Sequence, residues 1–92
     1  MIQVLKLTTG EEIVGEVTGA DLLTVKNPCV LQMVPSRTND GPAMALVPVG
    51  MHLEGQAFTI DNKHVLWSAK PVKELYNQYN SYFGTGIQLA GL

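Results

Sequence analysis

Short stretches rich in apolar β formers, set off by turn residues, extend from Ile2 to Ala69, and the period then changes. Ile2 to Leu7 is rich in β formers and predicts a strand. Thr8-Thr9-Gly10 predicts a turn, with Gly10 supplying the positive φ of a short hairpin. Glu11 to Thr18 predicts the return strand, with Ile13, Gly15 and Val17 on one face and Glu12, Val14 and Glu16 on the other. A glycine in mid-strand weakens it unless the chain bends sharply or something approaches closely. Small barrels need such bends.

Gly19-Ala20-Asp21 predicts the next turn. Leu22 to Val34 reads as a long strand interrupted at Asn27-Pro28, where Pro28 has no N–H to give a ladder and marks a bulge or an edge. Pro35 to Pro42, which includes Arg37, is the clearest loop. Ala43 to Val49 is strand-like but broken by Pro48, and Gly50 to Gln56 reads as a bend or short loop. Ala43 to Ile60 is treated as one long, interrupted fourth strand. Ala57–Ile60 and His64–Ala69 then form a last hairpin around Asp61-Asn62-Lys63.

Beyond Ala69 the period becomes helical. Pro71 suits a first helical position, where its missing N–H costs nothing. Val72, Leu75, Tyr76, Tyr79 and Phe83 fall on one stripe, Tyr82 falls off it, and Gly84 is a good stop. The expected fold is mainly β: short, strongly bent strands in a partly open small barrel, followed by one amphipathic C-terminal α-helix. Residues 1–70 are expected to form the barrel, residues 71–84 the helix of the same domain, and residues 85–92 a mobile tail.

Composition changes this picture in two ways. Charged residues make up only 15% of the chain, against 46% hydrophobic, which argues against disorder and for apolar surface covered by a partner. The last strand, Val65-Leu66-Trp67-Ser68-Ala69, carries no charge at all. Such an edge in a soluble protein is usually paired, so the pattern itself points to copies joined strand to strand. The formal net charge is −2, and the six cations form no basic run, so binding through phosphates by a single copy is not expected to suffice. No stretch approaches the ~18 apolar residues of a membrane span, and the N-terminus does not read as a signal peptide, so a cytoplasmic protein is expected.

Candidate chemistry is sparse. Cys29 stands alone and reads as a small buried apolar residue. His52 and His64 have no metal-ligand spacing, so no metal or cofactor is expected. Glu12 and Glu16 alternate onto the outward face of a strand, where they are solvated, and no catalytic constellation remains. The chain is therefore read as a non-enzyme. Tyr76 and Tyr79 fit packing of the helix onto the barrel better than base stacking. Trp67 fits core or a subunit interface. Lys63-His64, at the tip of a turn, is the best candidate for contact with phosphate and base edges, and repetition around a ring strengthens it.

Leu5, Leu7, Gly10, Ile13, Gly15, Val17, Gly19 and Asp21 stand at the spacing of the first Sm motif, and Phe58, Ile60, Val65 and Leu66 match the apolar frame of the second. The run Lys63-His64-Val65 is similar to the Lys-His turn of the Hfq-like bacterial branch. Over residues 2–69 the chain thus resembles the Sm/LSm family, and its C-terminal helix resembles forms carried by bacteriophages. Asp61-Asn62 replaces the family's Arg-Gly pair, and Leu22-Leu23-Thr24 stands in place of its His-Met-Asn. The resemblance implies a five-stranded, SH3-like barrel forming a homo-oligomeric ring. It also implies binding of single-stranded RNA, or DNA, through Lys63, His64 and Asn62, with Asp21 positioning the loop and Arg37 on a second face. A structural or adaptor ring that binds protein, for example in phage assembly, is the alternative.

Overall fold

The computed structural model describes residues 1–35 and 43–83. Strands β1 (Ile2–Leu7) and β2 (Glu12–Gly19) form the expected hairpin, with Val4 opposite Val14. β3 (Leu22–Val34) runs antiparallel to β2, which lies along one edge of it from Leu23 to Val30. A strand has two edges, so β4 (Ala43–Pro48) and β5 (Ala57–Asp61) share the other. β4 pairs with Cys29–Val34, and β5 with Leu22–Lys26. β4 and β5 thus follow one another along that edge as separate strands. Short 3-10 turns at Gly50–His52 and Glu54–Gln56 fill the gap.

β6 (Val65–Ala69) pairs with β1, giving an open antiparallel sheet ordered β4-β3-β2-β1-β6, with β5 beside β3. Six strands are present, where the family resemblance implies five. The expected final hairpin is a correction: β5 pairs with β3 and β6 with β1, not with each other. The 3-10 turn Asn62–His64 carries the chain from one side of the curled sheet to the other, so the two strands part to different neighbours.

The sheet is buried on both faces. On one, Leu5, Leu7, Ile13 and Val25 form a core joined by Val17, Val30, Phe58, Ile60 and Val65. Because these residues come from β1, β2, β3, β5 and β6, the sheet must curl around them. On the other face Ile2, Val4, Val14, Cys29 and Leu46 surround Tyr79 of α1 (Lys73–Phe83), with Leu31, Leu75, Tyr76 and Phe83 against them. The Glu12–Val14–Glu16 face is therefore not simply solvated as expected. The helix covers it at Val14, which is fully buried, while Glu12 turns to Lys6 at 3.8 Å. The tyrosine stripe packs as expected, and Tyr82 is exposed. Val72 departs from the expectation: α1 begins at Lys73, and Val72 is exposed.

One bend organises these layers. The β2–β3 register shifts where Gly15 faces Asn27-Pro28. A Cβ at Gly15 would lie 2.7 Å from Val25 Cγ1 and 3.1 Å from the Lys26 carbonyl oxygen, so the close approach needs glycine. Asn27 has a φ of 52°, an uncommon left-handed conformation that Asn tolerates better than most residues. The Tyr79 hydroxyl shares its hydrogen between the carbonyl oxygens of Asn27 at 2.9 Å and Lys26 at 3.2 Å. The helix thus closes the polar groups that the bulge exposes. Burial, together with the nearby Cys29 and Glu16 charges, raises the Tyr79 pKa. No helix among the described residues is long and apolar enough to cross a membrane.

Candidate nucleic-acid interface

Two turns meet the segment between β5 and β6. The β2–β3 turn depends on Gly19, whose φ is 101° and whose added Cβ would strike the Leu22 carbonyl. That turn presents the Asp21 carbonyl oxygen, which accepts the Asn62 N–H at 2.8 Å. The Asp61 carboxylate then caps the 3-10 turn, accepting the Lys63 N–H at 3.0 Å. At the far end the His64 carbonyl accepts the Thr8 N–H at 2.9 Å, which ties the segment to the β1–β2 turn. Asn62, Lys63 and His64 are thereby fastened at both ends while their side chains stay exposed.

Four of the five residues expected from sequence, Asp21, Asn62, Lys63 and His64, therefore lie on adjoining turns. Arg37 lies outside the described residues. The sequence reading missed two contributors. Asp61 acts as a cap, which its place before a short polar turn could have signalled. Thr8 acts as a clamp through its backbone, which no side-chain pattern encodes.

The electrostatics are mixed. Lys63 shares the exposed turns with two carboxylates, Asp21 and Asp61, so one copy offers no net positive charge there. Phosphate attraction from a single copy is correspondingly weak. Among the described residues no group of three or more His, Cys, Asp or Glu side chains gathers to hold a metal ion.

A concavity of about 390 Å³ lies away from these turns, between the start of β1 and the start of α1, lined by Met1, Ile2, Lys70, Pro71 and Tyr76. Its walls are mostly apolar. Cys29, the one thiol, is fully buried, and burial pushes its pKa up to about 11, so it serves packing rather than nucleophilic chemistry. No family model matches the chain, and no curated protein matches it in sequence.

Proposed function

We propose that this chain is an Sm-like barrel protein that forms a homo-oligomeric ring and binds single-stranded RNA, or DNA, through the clustered turns. In this reading β4 and β5 count as one strand of a five-stranded barrel. The uncharged edge of β6 in one copy pairs with the edge of β4 in the next. The observation that carries the reading is the Asp21–Asn62 hydrogen bond, which gathers Asp21, Asn62, Lys63 and His64 into one exposed, fastened surface. Repetition then does what one copy's charge does not, since several weak sites on one body raise avidity without new contacts.

Electrophoretic shift with uridine-rich and adenine-rich single strands tests it. Binding that weakens on Lys63→Ala with His64→Ala, and that falls steeply with salt, supports the turn surface. Binding unaffected by both substitutions moves the interface to another face.

A structural or adaptor ring that contacts protein is the second reading. The absence of net positive charge at the turns favours it, as do the large exposed apolar side chains Leu22, Met33, Met44, Leu66 and Trp67. Assembly without any retention of single strands selects this alternative.

A further inference from the structure

All four methionines are exposed: Met1, Met33, Met44 and Met51 have relative exposures of 68, 60, 47 and 70%. Two of them form a pair. Met33 and Met44 sit directly opposite each other on β3 and β4, beyond Val30, the last β3 residue in register with β2. There the two strands continue as a ribbon. Its described residues, Leu31–Pro35 and Ala43–Leu46, hold no charge. Exposed methionines adapt to irregular apolar partners and make favourable contacts with aromatic rings.

The single tryptophan lies at the other end of the sheet. Trp67 is on β6, 46% exposed, and pairs in register with Lys6. Residues directly opposite in an antiparallel pair share a face. Lys6 shares its face with Val4 and Val14, and Val14 with Cys29. Along β3 and β4 the same face then carries Leu31 opposite Leu46, and Met33 opposite Met44. Trp67 and the methionine pair thus occupy one face of the sheet, the one that α1 covers, at its two opposite edges.

We propose that Trp67 of one copy seats against Met44 and Met33 of the next. The proposal rests on the edge-to-edge assembly above and names the side chains that seal it. The occupant is a second copy because the two edges match: β4 has six residues and β6 five, and neither carries a charge. Continuing the sheet from β4 into a neighbour's β6 keeps that face continuous. Trp67 then stands opposite or diagonal to Met44, within reach of an aromatic side chain. A side chain left half-exposed in each copy becomes covered in the assembly.

The test follows the emission of the only tryptophan while light scattering records mass over a dilution series. Emission is expected to shift to the blue as copies assemble. Met44→Ala is expected to weaken association by roughly five- to tenfold and to reduce that shift, as expected for loss of a packed thioether contact. Met51→Ala, at an exposed methionine on neither edge strand, is the control and should change neither. Assembly with emission that ignores both dilution and Met44→Ala overturns the seam while leaving the ring intact. Failure to assemble at any concentration overturns the edge-to-edge reading as well.

Discussion

Tyr79→Phe isolates the contact that fastens the helix to the bent sheet. The substitution keeps the ring, which is fully buried and stands 4.7 Å from Phe83 centroid to centroid. It removes only the hydroxyl shared between the carbonyl oxygens of Asn27 and Lys26. Those carbonyls belong to the bulge at which the sheet changes register. A lost hydrogen bond that strands buried acceptors costs about 1–3 kcal/mol, and these two bonds are part-buried. Each carbonyl retains a second lone pair, so about 1–2 kcal/mol is expected here. For a domain of this size that corresponds to a melting temperature lower by roughly 5–15 °C. Urea denaturation followed by circular dichroism measures it, at one fixed protein concentration, because assembly shifts apparent stability. Tyr79→Ala also removes the ring and should cost about 3–5 kcal/mol. A Tyr79→Phe loss below about 0.5 kcal/mol, with an unchanged denaturant slope, refutes the claim that the hydroxyl closes the bulge.

Other substitutions probe the remaining joints. Gly15→Ala should destabilise by about 1–3 kcal/mol, because its new Cβ meets Val25 and the Lys26 carbonyl; a neutral effect in thermal melts denies the close approach. Asp21→Asn removes a negative charge beside Lys63 while leaving the backbone bond to Asn62 intact, so single-strand affinity should rise at low salt and return to the parent value at high salt. Unchanged affinity at every salt concentration would place the strand elsewhere. Cys29 is raised from about 9 to about 11, so its contribution to stability is complete below pH 9 and is lost as the pH climbs through 11. Tyr79 is raised too and acts in the same direction. Chemical denaturation between pH 8 and 11 should show falling stability, less steeply for Cys29→Ala when each protein is compared with its own value at pH 8. In folded protein at pH 8 the thiol should resist a colorimetric disulfide reagent that it meets readily in urea.

Local chemistry made much of this fold legible. Gly10 and Gly19 mark turns that need positive φ, and both adopt it. Gly15 announces a close approach, and the strand-breaking Pro28 sits at the bulge, fully buried. The C-terminal stripe finds its core residues because helical period is a local signal. The errors are non-local. Phe58–Ile60 and Val65–Trp67 look like a hairpin from their alternation, but the curl of the sheet sends them to β3 and β1. The Glu12–Val14–Glu16 face looks solvated because nothing in β2 says that a helix some sixty residues later lies over Val14. The same holds for the turn cluster: the side chains of Asn62, Lys63 and His64 could be picked out, whereas the backbone bonds to Asp21 and Thr8 that fasten them depend on how the open sheet curls.

The most direct measurement is the mass of the protein in solution by sedimentation equilibrium over a hundredfold dilution. The account predicts a closed assembly at a fixed whole-number multiple of 10.0 kDa, dissociating on charge placement within the β6 edge, as in Leu66→Lys. A stable 10.0 kDa species across the whole range, folded and unchanged by Leu66→Lys, contradicts it.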